Sequence, residues 1–365
     1  MKRKMHHYCL FSFMCLAMPS IYAKNTNTVV ATIPTGVNPA GIAITPDSCT
    51  AYVANNNNYG IEGQDSVSVL DLKHKLLEQT ITDPSFNQPY TITLGITSHK
   101  AYVTNSNSTT ITIINTATNM VNGIIHGFDG PSGMVITPGG NRAYVNNYGG
   151  PEGVGSGNGT TVNVVDLNSN SIIGAPIEVG LAPAALAISP KGKFVYVINY
   201  EDGNPGTGTL SVIQTSTNTV IATIEGFSGP FAIDITPNGR FAYVTNFGSN
   251  NFAPFGTTVS VVDLCNYVIV DTIDLGIQPS GIGITPNGCF AYVANYNTLY
   301  AGENFTDLTA GQGTVNIIDI NNNEVIAPVI VVGQSPANIA IAPNGKYAYV
   351  SNYTSNTVSV IKLKK

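Results

Sequence analysis

The string Tyr-Val-x-Asn occurs seven times, and nothing else in this chain limits its fold so strongly. The tyrosines are Tyr52, Tyr102, Tyr144, Tyr196, Tyr243, Tyr292 and Tyr349, each with an asparagine three residues on. Their spacing, 42 to 57 residues, is that of a four-stranded propeller blade. Thirteen residues before each tyrosine stands a proline: Pro39, Pro89, Pro131, Pro183, Pro230, Pro279 and Pro336. In six units a second proline follows seven residues later, and Ile96 takes that place in the second unit.

Between the prolines lies an apolar run such as "AGIAIT", strand a. A turn follows, often Pro-Asn-Gly, which reads as a hairpin whose two central residues, Asn and Gly, both need positive φ. The motif itself is strand b. The alternating "TVSVVDL" (Thr258 to Leu264) typifies strand c and "TVIATI" (Thr219 to Ile224) strand d. Seven units predict an all-β fold, a seven-bladed propeller of four-stranded antiparallel blades around a channel. A charged share of 10% with 37 glycines suits short strands and tight turns. The last unit, "NTVSVIKLKK", has no strand d, whereas "NTNTVVATIPTG" near the start is a strand d with nothing before it. The N-terminal strand is therefore expected to complete the last blade and close the ring.

These units resemble the YVTN-type β-propeller repeat of exported bacterial and archaeal surface-layer proteins. The likeness covers essentially the whole chain beyond its first residues, with Ile96 and Ile198 as local departures. It implies the fold and leaves the function open, because related propellers serve varied ends, sugar-lactone hydrolysis among them. A motif tyrosine beside a valine is read as packing between blades, and the asparagine as a cap on the strand end.

The N-terminus carries Lys2, Arg3 and Lys4, then an apolar stretch from Tyr8 to Met18, then a cleavage-like "PSIYA" ending at Ala23. Residues 1–23 read as an export signal and 24–365 as a single propeller domain. The expected location is the periplasm, the cell surface or the medium. No later stretch is apolar enough to span a bilayer. Cleavage would remove three of the 15 Lys and Arg and none of the 21 Asp and Glu, leaving 12 against 21. That balance argues against a nucleic-acid partner. Of the remaining cysteines, Cys49, Cys265 and Cys289, the pair Cys265–Cys289 is best placed for a disulfide, from turns of adjacent blades on one face.

Function should lie where the units differ. The loops from b to c are short in blades 2 and 7 and long in the other five. They hold Glu62, Asp65, Glu152, Glu201, Asp202, Glu303 and Asp307, and no Lys, Arg or His. Lys100, Arg142, Lys191, Lys193, Arg240 and Lys346 fall in a–b turns at the other end of the strands. One face should be acidic and the other mildly basic. Tyr148, Tyr200, Phe247 and Tyr296 join the carboxylates in the long loops. Aromatic planes with carboxylates suit a protein or glycan ligand. Calcium, which takes several oxygen ligands, is a candidate ion for Glu201 and Asp202 with Asn204, or Glu303 with Asp307, although no D-x-D-x-D-G string occurs.

His74, His99 and His126 lie outside the long loops, and neither G-x-S-x-G nor H-E-x-x-H occurs. The chain thus reads as a binding protein rather than an enzyme. The alternative is a metal-assisted lactonase at the channel mouth, with Asp234, the one charged residue in any strand a, as its channel acid. A structural cell-surface component is a third reading.

Overall fold

A computed structural model of the chain describes residues 27–57, 64–96, 98–150, 157–201, 205–248, 255–297 and 312–364. Among these residues there is no helix. The strands form seven antiparallel sheets, each ordered a-b-c-d. Blade 1 shows the pattern: Pro39–Ile44, Thr50–Asn55, Ser66–Asp71 and Leu76–Ile81. The a strands lie side by side around the axis, and that of blade 7 (Pro336–Ile341) meets that of blade 1. Thr28–Pro34 pairs antiparallel with Thr357–Lys362, from Thr28↔Lys362 to Pro34↔Thr357. Strand d of blade 7 thus comes from the other end of the chain, as the sequence implies.

The Tyr-Val dipeptide follows from the two-residue period of a strand, which sends neighbouring side chains to opposite faces. Tyr52 packs with Ile92, Ala101 and Val103 of blade 2, whereas Val53 packs with Val358 and Val360 of blade 7. The same split recurs in every blade: tyrosine towards the next blade, valine towards the previous one. The phenol then crosses the gap. Tyr52, Tyr144 and Tyr243 each donate at 2.6 Å to Oδ1 of Asn119, Asn218 and Asn323 in the c–d turn of the following blade. Tyr292 donates to Asn27, just before the closing strand, at 2.8 Å. The acceptors all sit at φ of 54–59°, a conformation asparagine tolerates better than most residues.

The motif asparagine clamps its own blade. Its Nδ2 donates to two side chains on strand c, as Asn246 does to Thr258 and Ser260, both at 2.9 Å. The intervening residue can reach the next strand a: Thr245 donates to the Ser280 carbonyl at 2.8 Å and Ser351 to that of Ala40 at 2.6 Å.

Two local expectations change. In the Pro-Asn-Gly turns only the glycine has positive φ, as at Gly239 (72°) and Gly288 (70°). Asn238 instead uses its Oδ1 to accept from Thr236 and the Arg240 N–H, as a side-chain-stabilised turn does. Strand d of blade 3 is two fragments, Ser171–Ile172 and Ile177–Glu178. Gly174 (φ 75°) and Pro176 interrupt it, and proline has no N–H for the ladder.

Candidate functional site

The b–c and d–a loops share one face, here the upper face. Its rim is built the same way seven times. The residue after the motif donates its N–H to the carbonyl of the residue before the strand-a proline, as Tyr148 to Gly130, Tyr200 to Ala182 and Tyr296 to Gln278. All seven acceptor residues lie at φ between 49° and 57°, and only two are glycine. Immediately after, each strand a has a register shift, as between Pro230 and Ala232 or Pro89 and Ile92. Tyr90 and Phe231, one residue past their prolines, therefore have no cross-strand partner. A bulge of this kind re-aims a side chain, here at the top of the channel.

Phe231 joins the rim in an aromatic chain. Phe231 stands 5.1 Å from Phe247, Phe247 5.9 Å from Tyr296, and Tyr296 6.4 Å from Tyr353, centroid to centroid. Such tilted and edge-to-face pairs are the favoured aromatic geometry. Burial pushes the Tyr90 phenol above its ordinary value, and the phenols of Tyr148 and Tyr296 push it further. Tyr148 and Tyr296 thus both lie within electrostatic reach of Tyr90. Tyr90, Tyr148, Phe231, Tyr296 and Tyr353 stay part-exposed. Tyr200 and Phe247 are buried behind them, Tyr200 donating to the Gly248 carbonyl at 2.7 Å. Tyr353 donates to Asn56 Oδ1 at 3.4 Å. The structure thus brings together Tyr148, Tyr200, Phe247 and Tyr296, which the sequence singled out. It adds Tyr90, Phe231 and Tyr353, which the sequence reading passed over because two of them lie in the inner strands and one in a short loop.

Of the seven loop carboxylates, Asp65 and Glu201 are described; Glu62, Glu152, Asp202, Glu303 and Asp307 lie outside the described residues. Glu201 Oε1 accepts from the Leu181 N–H at 3.3 Å and from Thr209 at 3.2 Å. Asp65 is half-buried; burial raises its carboxyl while a bond from the Gln88 backbone opposes the rise. Its Oδ1 is buried without a hydrogen-bond partner. Among the described residues no group of three or more His, Cys, Asp or Glu is placed to hold a metal, and the residues weighed for calcium fall largely outside them.

Asp234 sits deeper, four residues into strand a of blade 5 (Pro230–Ile235). It accepts from its neighbour Ile235 N–H at 2.8 Å and from Ile284 N–H of blade 6 at 2.7 Å. Burial dominates over these two bonds and lifts its carboxyl from the usual 3.8 to about 6. Asp234 is therefore a clasp between two inner strands.

The lower face differs from expectation. Besides the lysines and arginines of the a–b turns it carries Asp71, Asp166, Asp263 and Asp319, the last residues of their c strands. Their carboxylates accept from N–H groups of the c–d turns, as Asp263 from Cys265 at 2.8 Å, and Asp71 also meets His74 at 2.6 Å. The face is mixed in charge rather than basic. A groove of about 300 Å³ lies there between blades 3 and 4, lined in part by Arg142, Tyr144 and Lys191. The expected Cys265–Cys289 disulfide is absent, and both are free thiols, as is Cys49. Each c–d turn leans over the tyrosine of the preceding blade, so Cys265 lies by Tyr196 of blade 4. Cys289 belongs to blade 6, on the other side of blade 5, and is buried in its own a–b turn.

A family model described as lactonase, 7-bladed beta-propeller, matches residues 278–365. No curated protein matches the chain. Among solved structures, hydrazine synthase from Kuenenia stuttgartiensis is similar over 93% of this chain and 99% of its own, at 19% identity and a TM-score of 0.71. That degree of likeness concerns the fold.

Proposed function

We propose that this chain is an exported binding scaffold of the YVTN-repeat kind, taking a protein or glycan ligand on its upper face. The observation that carries this reading is the aromatic mouth. Part-exposed rings on blades 5, 6 and 7, those of Phe231, Tyr296 and Tyr353, join through the buried Phe247 where the repeat itself requires none. Clustered aromatics with polar tips are the side chains interfaces favour. The loops that differ most in length surround this mouth, and loops on a rigid scaffold are where such proteins place recognition. Export rests on the basic and apolar N-terminal segment. The test is binding of the purified protein to arrays of envelope polysaccharides and envelope proteins. Tyr148→Ala and Tyr296→Ala should each weaken capture at least ten-fold. Capture indifferent to both substitutions defeats the upper-face reading.

A second reading is a lactone hydrolase, favoured by the lactonase-type match over residues 278–365. Asp234 offers a channel carboxyl raised to about 6, a value suited to general acid–base work near neutrality. Its two backbone donors hold it in place but also occupy it. A panel of small lactones, assayed with and without divalent ions, decides. Turnover that persists in Asp234→Asn removes Asp234 from the reaction.

A further inference from the structure

Taking the mouth as a ligand site, we propose that its ligand is an organic cation, an alkylated ammonium or a guanidinium, held against the rings of Phe231, Tyr296 and Tyr353. Aromatic faces are electron-rich and attract such cations, most strongly where water is displaced. The three rings come from the adjacent blades 5, 6 and 7. With the buried Phe247 they form one wall, Phe231–Phe247–Tyr296–Tyr353, in 5–6.5 Å centroid steps.

Charge agrees with the rings. Neither the b–c nor the d–a loops contain any Lys, Arg or His. Asp65 accepts from the backbone of Gln88, two residues before Tyr90. Its Oδ1 has no partner, and an unpaired carboxylate oxygen out of water is costly until it meets a donor or a positive charge. Hydrogen-bonding capacity at the mouth is partly committed already, because Tyr200 and Tyr353 donate within the frame. What remains on offer is ring surface with a negative field, which suits a diffuse cation better than a neutral polyol.

The experiment compares choline with its uncharged carbon isostere 3,3-dimethylbutan-1-ol and with maltohexaose. The chain has no Trp, so its tyrosine emission reports binding, with calorimetry as a second readout. Choline should bind at least ten-fold tighter than the isostere and weaken as salt rises. Tyr296→Leu should cost at least ten-fold and Asp65→Asn about three-fold, while Tyr296→Phe, which keeps the ring, should stay within about two-fold. Equal affinity for choline and the isostere, or no saturable binding of choline, overturns the cation. Maltohexaose binding that is lost in Tyr296→Leu, without choline binding, overturns the cation but leaves the mouth as a ligand site. Probes that all bind alike in wild type and in a folded Tyr296→Leu overturn both.

Discussion

Two sets of tyrosines occupy this ring, and they behave oppositely. The seven motif tyrosines are almost wholly buried, between 0% and 2% exposed, each pressed against the next blade. The four at the mouth, Tyr90, Tyr148, Tyr296 and Tyr353, are part-exposed, and Tyr296 stacks with Tyr353 there. The first set repeats because every blade meets its neighbour in the same way. The second does not repeat: at the position after the motif, blade 1 has Asn56 and blade 2 has Ser106. The same side chain is thus a mortar in one register and a recognition surface in another, and the backbone decides which. A regular ladder delivers the first tyrosine, and a bulge or a strand end delivers the second.

Several substitutions separate the sets, from large effects to small. Deleting residues 24–36 removes the closing strand, strips Ile33 from the core and bares Val358 and Val360. We expect a loss of at least about 5 kcal/mol, seen as a large drop in melting temperature; unchanged melting would defeat the closure. Tyr243→Ala empties a site fully packed against blade 6 and should cost about 3–5 kcal/mol in denaturant titration, with ligand affinity kept wherever the protein is folded. Asp234 gives a pH signature. Its carboxyl titrates near 6 in the fold against 3.8 ordinarily, so the fold holds this proton more tightly than the unfolded chain does. Its stabilisation is complete below about pH 4 and is lost as pH rises through about 6, up to about 2 kcal/mol once channel water is allowed for. Asp234→Asn should flatten that fall when unfolding midpoints at pH 4 and pH 7 are compared; an identical slope in the variant assigns it elsewhere. Tyr243→Phe keeps the packing but leaves Asn323 Oδ1 without its donor, a loss of about 1 kcal/mol. Tyr296→Leu should change stability least, by less than about 1 kcal/mol, while it weakens ligand binding at least ten-fold. A large stability loss there would put Tyr296 among the scaffold tyrosines.

The scaffold was legible because its signal is written seven times. Tyrosine, valine, asparagine and the strand-a proline recur in register, and the two-residue period fixes which side faces which blade. Ring closure was legible too, from an unmatched strand at each end. The mouth was half legible. Tyr148, Tyr200, Phe247 and Tyr296 stand out as aromatic residues in variable loops. Tyr90 and Phe231 do not, because regular alternation counted back from Asp234 turns them away from the channel, and only the bulge after the proline turns them inward. Charge was misjudged on the lower face for a related reason. Asp71, Asp166, Asp263 and Asp319 read as the ends of c strands, yet their work is to hold the turns beyond.

Another contrast lies three residues before the strand-a proline. Blades 2, 3 and 5 have Phe86, Phe128 and Phe227 there, and the N–H of the next residue donates to the motif asparagine, as Asn87 to Asn105 at 3.2 Å. Blades 1, 4, 6 and 7 have Gly36, Gly180, Gly276 and Gly333, and the asparagine Oδ1 finds no donor. A Cβ on Gly276 would come within 2.8 Å of Asn295 Nδ2. The asparagine therefore leans into the space where a side chain would stand, and the two loop types are not interchangeable.

The shared last blade also sets a timetable. Thr28–Pro34 emerges before the rest of the ring, but its partner Thr357–Lys362 is made more than 300 residues later. Until then the first strand has no sheet to join, and a closure spanning more than 300 residues is slow by its topology. A chain that cannot complete its ring while still being made remains threadable for that interval. The late join acts as a delay built into the order of the strands.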